Sequence, residues 1–249
     1  MPDLTPHSPD VLKTLAHDLR WRLLKALTTS DHRVQELVAV VHEPMNLVSY
    51  HLKKLRDDGL VQARRSDADG RDIYYRLDLD RLRDLYWGAA GALHPALKAN
   101  QPGIPDLQRL LDVRVLFLCT HNSARSQMAE GLLRHVTGGQ LAVQSAGSQP
   151  SGIHPEAVTA MDALGIDIRG QASTHLSDLT DQPFDYVITV CDKVREVCPT
   201  FPGGGQQLHW GLPDPAAIDD SAERARAFTA TAAQLQSRIH TFLTTLATA

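Results

Sequence analysis

The 249-residue sequence predicts two domains of different class, an α+β domain followed by an α/β domain with a parallel sheet. The first half has helical periodicity interrupted by one hairpin-like segment, whereas the second half alternates between strand and helix patterns. Between the halves, residues 99–112 (ANQPGIPDLQRLLD) hold two prolines and a glycine, which predicts a linker. The predicted domains are therefore residues 1–98 and 113–249.

The composition is typical of a globular protein, with 43% hydrophobic and 22% charged residues. No apolar run approaches the roughly 20 residues that a membrane-spanning helix needs, and the N-terminus lacks the basic and apolar segments of a signal peptide. We therefore expect a cytoplasmic protein that has no membrane partner. Because the formal net charge is -4, any contact with DNA must come from a local basic patch.

The elements of the first half follow from apolar spacing and from the positions of proline and glycine. A helix is predicted over residues 8–28 by a stripe that comprises Leu12, Leu15, Leu19, Leu23 and Leu27. A second helix runs from about His32 to Val41, and a third runs from Pro44 to about Asp58, where Gly59 is a natural stop. Two β-prone arms flank DADG as a hairpin, and a further helix runs from Asp80 to about Leu97. This order is that of a winged helix-turn-helix domain.

The third helix, over residues 44–58, predicts a face that contacts DNA. We expect Leu47, Val48, Leu52 and Leu55 to pack inward, which leaves polar and basic side chains for base edges and phosphates. The candidate DNA-binding residues are Asn46, Ser49, Tyr50, His51, Lys53 and Lys54 on the helix and Arg64, Arg65 and Arg71 on the hairpin. The spacing alone fits equally well an amphipathic helix with a solvated basic face.

The stretch SYHLKKLRDDGLV, followed by a charged hairpin, resembles the ArsR family of metalloid- and metal-responsive repressors. The resemblance covers roughly residues 8–95. It implies a homodimer that is joined through the terminal helices, at about 8–18 and 80–97. It also implies that residues 1–98 bind operator DNA, with the helix at 44–58 in the major groove.

One departure from this family concerns the sensing of arsenic. Many arsenic-sensing members carry Cys-x-Cys in the helix before the recognition helix, where this sequence has Val38 and Val40. The chain has three cysteines, and all of them lie in the second half. Either the second domain supplies the sensing thiols, or the first domain has another role.

The second half predicts a parallel sheet with helices on both faces, because strands and helices alternate. The predicted strands are Val113–Leu118, Leu141–Ala146 and Phe184–Val190, and the predicted helices are Arg125–Val136, Pro155–Gly165 and about Ser221–Leu246.

The segment after the first of these strands predicts an oxyanion site. Cys119 ends the strand and a helix begins near Arg125, so the backbone N–H groups of the loop converge at a helix N-terminus. Arg125 can hold two oxygens of a tetrahedral oxyanion, and the same positive field favours a thiolate at Cys119. The candidate loop residues are Thr120, His121, Asn122, Ser123, Ala124 and Ser126. The alternative is a buried structural cysteine before a turn with a surface arginine.

Asp214, in the stretch HWGLPDPA, is the candidate donor of a proton to a leaving oxygen. The two flanking prolines stiffen its loop. Pro-Asp-Pro is also an ordinary turn sequence, so this residue taken alone leaves both interpretations open.

These features resemble the low-molecular-weight protein tyrosine phosphatase fold over about residues 113–246. Phosphatases of this fold share the oxyanion loop and the Asp-Pro acid with arsenate reductases. The stretch TVCDKVREVCP holds the remaining cysteines, Cys191 and Cys198, in the pattern of thioredoxin-coupled arsenate reductases. The phosphatases usually have tyrosines after Asp-Pro, where this sequence has Ala216 and Ala217.

The resemblance implies a relay of three thiols. The Cys119 thiolate attacks arsenate that is held by the loop and Arg125, while Asp214 protonates the leaving oxygen. Cys191 then attacks the sulfur of Cys119, and Cys198 resolves that disulfide for reduction by thioredoxin. The competing hypotheses are a phosphatase for tyrosine phosphate or small esters, and a repressor whose second half senses an oxyanion or redox state without turnover.

Some members of this family bind potassium near the oxyanion loop. Asn122, Glu130 and Ser145 match positions that are used there, but the carboxylate expected further on falls at Thr174. We expect no other tightly bound cofactor.

Overall fold

The computed structural model describes residues 9–94, 97 and 112–248. The chain divides into two compact units, Met1–Pro102 and Gly103–Ala249, and each unit has its own hydrophobic core. Residues 99–111 of the predicted linker lie outside the described residues. Among the described residues, no helix is both long enough and apolar enough to cross a membrane.

The first unit contains five helices and a small antiparallel sheet within its described residues. The helices are α1 (Asp10–Leu15), α2 (Asp18–Ala26), α3 (Val34–Val41), α4 (Met45–Asp57) and α5 (Leu79–Leu93). The strands are β1 (His32–Arg33), β2 (Val61–Arg65) and β3 (Ile73–Leu77), in the sheet order β1-β3-β2. The α3–α4 pair and the β2–β3 hairpin confirm the predicted winged helix-turn-helix order.

The leucine stripe over residues 8–28 forms two helices, whereas the sequence predicts one. His17 has an extended backbone, with φ -104° and ψ 120°, and it separates α1 from α2. The Arg20 guanidinium donates hydrogen bonds of 2.8 Å to the carbonyl oxygens of Lys13 and Thr14, which are left free where α1 ends. The break therefore has a local side-chain cause that apolar spacing does not contain.

The predicted start of the second helix is also wrong by two residues. His32 belongs to β1, where it pairs with Tyr75 of β3, and α3 begins at Val34. Pro44 precedes α4, and Gly59, which follows this helix with a φ of 73°, is the predicted stop.

Two side chains of α4 lie on faces that differ from the prediction. Val48, Leu52 and Leu55 are 0% exposed, as predicted, but Leu47 is 38% exposed and His51 is 5% exposed. His51 follows Val48 by three positions and so shares its face, whereas Leu47 points about 100° away from Val48 around the helix. The His51 ring lies 4.3 Å from the ring of His17, and burial together with that histidine lowers the pKa of His51.

The second unit is an α/β domain that is built on a parallel sheet, as predicted, and this sheet has four strands. The strands are β4 (Arg114–Cys119), β5 (Ala142–Gly147), β6 (Tyr186–Thr189) and β7 (Gln206–His209), in the order β5-β4-β6-β7. The helices are α6 (Arg125–Val136), α7 (Pro155–Asp162), α8 (Asp192–Val197) and α9 (Ser221–Thr248). The sequence does not predict β7 or α8, because β7 is a short edge strand with exposed glutamines and α8 has only six residues.

The central strand of this sheet explains where the site forms. Val115, Leu116, Phe117 and Leu118 are each 0% exposed, and since alternate side chains point to opposite faces, both faces of the sheet are covered. In the parallel register Leu118 pairs with Thr189 of β6. Residues that follow these two strands therefore emerge at the same edge of the sheet.

Candidate active site

Cys119 is the last residue of β4, at the edge where the chain turns into α6. It is 3% exposed. Its Sγ lies 2.9 Å from the Ser126 hydroxyl and accepts a hydrogen bond of 3.2 Å from the backbone N–H of Asn122. Ala124 is the N-cap residue of α6, and its methyl side chain cannot cap the helix. A helix N-terminus of this kind attracts anions, so a thiol and an anion-binding helix end lie together.

Asn122 holds the shape of the loop. Its φ of 43° is in the left-handed region, which asparagine tolerates better than most residues, and it is 0% exposed. Its amide Nδ2 donates to the hydroxyls of Ser126 at 3.0 Å and Ser145 at 2.8 Å. Its Oδ1 accepts from Gln127 Nε2 at 3.1 Å and from the backbone N–H of Thr174 at 2.7 Å. One side chain thus ties the loop to α6, to β5 and to the segment before Leu176–Leu179.

Gly147 lies opposite Cys119 in the register of β4 and β5. A Cβ at this position would lie 2.6 Å from the carbonyl oxygen of Thr120 and 2.8 Å from the backbone nitrogen of Asn122. Only glycine permits this close approach of β5 to the loop. Gly147 is not among the residues predicted from the sequence, although a glycine at a strand end is a recognisable signal.

Arg125 and Asp214 form an ion pair next to this loop. Arg125 is 5% exposed, and its NH2 lies 2.9 Å from Asp214 Oδ2, while its NH1 donates to the carbonyl oxygen of Leu212 at 2.9 Å. The other carboxylate oxygen of Asp214 accepts from the backbone N–H of Ala216 at 3.2 Å. An oxyanion bound to Arg125 would therefore lie beside a carboxyl group that can transfer a proton.

Cys191 follows β6 at the same edge of the sheet and is the N-cap residue of α8. It is 2% exposed, and its Sγ lies 3.4 Å from the hydroxyl oxygen of Thr120. Burial raises the pKa of Cys191; the charge of Arg125 opposes this shift, and the nearby Cys119 adds to it. The contact with Thr120 places Cys191 at the same site as the loop.

Cys198 lies at the other end of α8, whose six residues separate it from Cys191. At 1.5 Å per residue, the two cysteines are about 10 Å apart along the helix. A disulfide requires Cα atoms within roughly 7 Å, so α8 must unwind before these two sulfurs can bond. Burial raises the pKa of Cys198 to about 11.

The three residues that match potassium positions are engaged with other groups. The Asn122 Oδ1 already accepts two hydrogen bonds, and the Glu130 carboxylate lies 2.8 Å from Arg134. Burial raises the pKa of Glu130, and a hydrogen bond with Ser145 opposes this shift. Among the described residues, no group of three or more His, Cys, Asp or Glu is placed to hold a metal ion. As they stand, the Asn122 amide oxygen and the Glu130 carboxylate are both paired with protein groups.

In the first unit, α4 presents a polar and basic face. Among the residues predicted to bind DNA, Asn46, Ser49, Tyr50, Lys53 and Lys54 are exposed, whereas His51 lies on the opposite, buried face.

The three arginines predicted to bind DNA from the β2–β3 hairpin already interact with other groups of the hairpin. Arg64 stacks over the Tyr74 ring at 5.6 Å, Arg65 donates to the carbonyl oxygen of Gly70 at 2.9 Å, and Arg71 pairs with Asp69 at 2.7 Å. A phosphate that contacts Arg71 must therefore compete with the carboxylate of Asp69.

The profile of a protein family described as low molecular weight phosphotyrosine protein phosphatase matches residues 114–249, which is more than half of the chain. The chain belongs to this phosphatase family. A second profile, described as bacterial regulatory protein, arsR family, matches residues 17–63. The phosphatase-family domain therefore follows an ArsR-type helix-turn-helix domain, as the motifs predicted.

Relatives of the phosphatase-family domain include proteins named arsenate reductase. One from Halalkalibacterium halodurans is 40% identical over 132 residues, which are 53% of this chain and 95% of that protein. One from Bacillus subtilis is 42% identical over 115 residues, 46% of this chain and 82% of that protein. A solved structure described as an arsenate reductase in oxidized state is 30% identical, covers 53% of this chain and 98% of its own, and has a TM-score of 0.48.

Within the phosphatase-family domain, the structure brings four of the predicted residues together and leaves one apart. Cys119, Arg125, Asp214 and Cys191 surround the loop, and Cys198 lies at the far end of α8. Besides Gly147, sequence reasoning missed Gln127, whose amide donates to the Asn122 carbonyl oxygen at 3.2 Å and to its Oδ1. A buried glutamine near the start of a helix carries no signal of this role.

Proposed function

We propose that residues 113–249 reduce arsenate to arsenite through the three thiols. Two observations support this proposal. The relatives that match this part of the chain over most of their own length are named arsenate reductase. In addition, Cys191 reaches the loop of Cys119, which a phosphatase would not require. The contact of Cys191 with Thr120, the loop residue that follows Cys119, is the observation that carries the proposal.

The first step uses the loop, Arg125 and Asp214. The Cys119 thiolate attacks arsenic, forming an S–As bond, and one As–O bond breaks. The departing oxygen is a hydroxyl group of the protonated arsenate, so one proton from Asp214 lets it leave as water. The helix N-terminus and the Arg125 guanidinium stabilise the negative charge of the remaining oxygens.

The second and third steps move two electrons. The Cys191 thiolate attacks Sγ of Cys119, so that an S–S bond forms, the S–As bond breaks and its electron pair stays on arsenic, which leaves as arsenite. The Cys198 thiolate then attacks Sγ of Cys191, which releases the Cys119 thiolate and leaves a Cys191–Cys198 disulfide. An external dithiol, for which we propose thioredoxin, reduces that disulfide.

An assay of arsenate-dependent NADPH oxidation, coupled through thioredoxin and its reductase, tests this function. The wild type should turn over repeatedly, and the Cys119→Ser and Cys191→Ser variants should release no arsenite. Cys198→Ser should release at most one arsenite per chain and accumulate the Cys119–Cys191 disulfide. Repeated turnover by Cys198→Ser would rule out the relay, and the absence of arsenite from the wild type would rule out the reductase.

A matched pair of substitutions on α6 tests the role of Arg125. Arg125→Lys should lower kcat/KM for arsenate by about 100-fold, because a lysine cannot form the two-pronged contact. Arg134→Lys is the control, since this residue lies on the same helix but pairs with Glu130. Equal losses in both variants would contradict the assignment of Arg125.

The phosphatase alternative is tested with p-nitrophenyl phosphate in the same preparation. Hydrolysis of this ester requires Cys119, Arg125 and Asp214, but neither of the other cysteines. Turnover of the ester without any reduction of arsenate would establish the phosphatase alternative instead.

We also propose that residues 1–98 bind operator DNA as a homodimer. The exposed face of α4 and the match to the arsR family profile support this. Gel shifts at several salt concentrations test it, and Lys53→Gln should weaken binding to all sequences.

If this regulator senses arsenic through thiols, the thiols must come from residues 113–249, because the three cysteines of the chain are Cys119, Cys191 and Cys198. If arsenite releases the DNA through thiols, a triple Cys→Ser variant should bind DNA but no longer respond to arsenite. Identical responses of this variant and the wild type would rule out thiol sensing. A repressor without catalytic turnover would respond to arsenite and fail the coupled assay.

A further inference from the structure

A buried polar cluster adjoins Cys191, and the proposed steps do not use it. It consists of Thr189, Asp192 and His209, which are 4%, 1% and 2% exposed. Thr189 ends β6, His209 pairs with it in the register of β7, and Asp192 is the first residue of α8. The cluster therefore joins two strands of the sheet to the helix that begins immediately after Cys191.

The histidine contacts both of its neighbours through its ring nitrogens. His209 Nε2 lies 3.0 Å from Asp192 Oδ1, and because an ionised carboxylate only accepts hydrogen bonds, this nitrogen is the donor. His209 Nδ1 lies 2.9 Å from the Thr189 hydroxyl, which fixes the plane of the ring. A carboxylate buried this deeply requires such partners, since removing one of them would leave a charged or polar group without solvation.

The two ends of α8 differ in how they are held. At its start, the cluster ties Asp192 to the sheet, and the Val190 backbone N–H donates to the Leu118 carbonyl oxygen at 2.8 Å. At its end, Val197 is 61% exposed and Cys198 already has an extended backbone, with φ -65° and ψ 119°. The amino-terminal end of the helix thus carries buried polar contacts to the sheet, whereas the carboxyl-terminal end carries an exposed side chain and a backbone that has already left the helix.

Such a difference suits a cysteine that must react with two partners. Cys191 has to remain near the loop to reach Cys119, and yet about 10 Å of helix separates it from Cys198. If α8 moved as one body, the separation of the two cysteines would not change, and Cys198 could reach the loop only by displacing Cys191 from it. Unwinding from the far end avoids this conflict, provided that the first residue of the helix stays in place.

We propose that Asp192 and His209 form a positioning pair that fixes the amino-terminal end of α8 and keeps Cys191 at the oxyanion loop while Cys198 moves. The relay part of this proposal rests on the proposed reductase function. The part that concerns the position of Cys191 does not rest on the reductase function, because the accessibility of this cysteine can be measured without arsenate.

The test compares rates of alkylation by iodoacetamide at each cysteine, read by mass spectrometry of the peptides. Asp192→Asn and His209→Gln should each raise the rate at Cys191 by about tenfold, because one lost charged hydrogen bond favours local opening. The rate at Cys119 should stay within about twofold of the wild type, since its contacts lie in the loop. Glu196→Gln is the matched control: it removes an exposed carboxylate from the same helix and should change neither rate.

A second measurement separates positioning from general stability. In single turnovers with arsenate, Asp192→Asn should slow arsenite release by about tenfold, while the arsenate concentration at half-maximal rate stays unchanged. Hydrolysis of p-nitrophenyl phosphate, which does not need Cys191, should remain within about twofold. A merely structural role would lower both activities together with the melting temperature.

The outcomes are distinguishable. Alkylation of Cys191 at the wild-type rate in both variants would overturn the proposal, and so would equal acceleration at all three cysteines. If Asp192→Asn does not fold, Thr189→Val keeps both Asp192 and His209, and a rate increase at Cys191 of about threefold is expected; no increase would overturn the proposal. A wild type that releases no arsenite would refute the reductase function, while the alkylation rates would still decide whether the pair fixes Cys191.

Discussion

Replacement of Gly147 by alanine tests how closely β5 must approach the oxyanion loop. The added Cβ would lie 2.6 Å from the Thr120 carbonyl oxygen, 2.8 Å from the Asn122 nitrogen and 2.9 Å from the Cys119 carbonyl oxygen. All three are backbone atoms, and contacts normally begin at about 3.5 Å, so the loop must shift by about 0.6–0.9 Å. Overpacking of this kind costs about 1–3 kcal/mol of folding free energy.

The same shift should impair catalysis, because the displaced backbone positions the Cys119 sulfur and the oxyanion. A misplacement of about 1 Å can cost about 100-fold in rate. We therefore expect kcat/KM for arsenate to fall by about 10- to 100-fold, which corresponds to about 1.4–2.7 kcal/mol of transition-state stabilisation. The coupled NADPH assay measures this loss, and urea denaturation measures the change in stability.

Gly170→Ala is the matched control in the same domain, since a Cβ there would meet nothing within 4 Å. It should change kcat/KM by less than about twofold. The reasoning would be refuted if Gly147→Ala retained wild-type kcat/KM, or if the two variants lost the same amount.

Four further predictions concern Asn122 in the loop, Phe228 in the core, the thiol of Cys198 and Lys54 on the exposed face of α4. Asn122→Ala should lower the free energy of unfolding by about 2–4 kcal/mol, because buried partners lose their hydrogen bonds; a loss under about 1 kcal/mol in urea denaturation would contradict this. Phe228→Ala should lower it by about 3–5 kcal/mol, because this side chain is 0% exposed, whereas the 39% exposed Leu164 should tolerate alanine with a loss under about 1 kcal/mol. Burial raises the pKa of Cys198 to about 11, so its thiolate fraction grows with pH below that value. Formation of the disulfide with Cys191, followed by rapid-quench alkylation, should therefore accelerate about tenfold per pH unit between about pH 7 and 9. A rate that does not change with pH over this range would contradict a raised pKa of Cys198. Lys54→Gln should reduce the salt dependence of DNA binding by about one unit of slope, and an unchanged slope would exclude a phosphate contact.

Local patterns predict the elements whose signal lies within a few residues. The helix Arg125–Val136 has the predicted bounds, since its start follows the loop and its apolar face repeats at helical spacing. The same rule fails for residues 8–28, because the leucine stripe continues across the break that Arg20 stabilises through backbone carbonyls. It also cannot distinguish His51 from its polar neighbours on α4, since a histidine is common on either face.

The chemistry of the loop from Cys119 to Ser126 is a property of the sequence alone. Its thiol, its helix start and its arginine lie within seven residues, so their proximity follows from chain connectivity and one change from strand to helix. The number and spacing of the three cysteines likewise resemble the pattern of thioredoxin-coupled arsenate reductases.

Only the tertiary structure brings the distant partners to this loop. The parallel register of β4 with β5 and β6 places Gly147 and Cys191 beside it, and the chain after β7 brings Asp214 to Arg125. The pairing of Asp192 with His209 depends on β7, an edge strand whose own residues carry little apolar signal. The physical reason is that periodicity specifies which face of an element is buried, whereas the packing of strands and helices decides which residues that face meets.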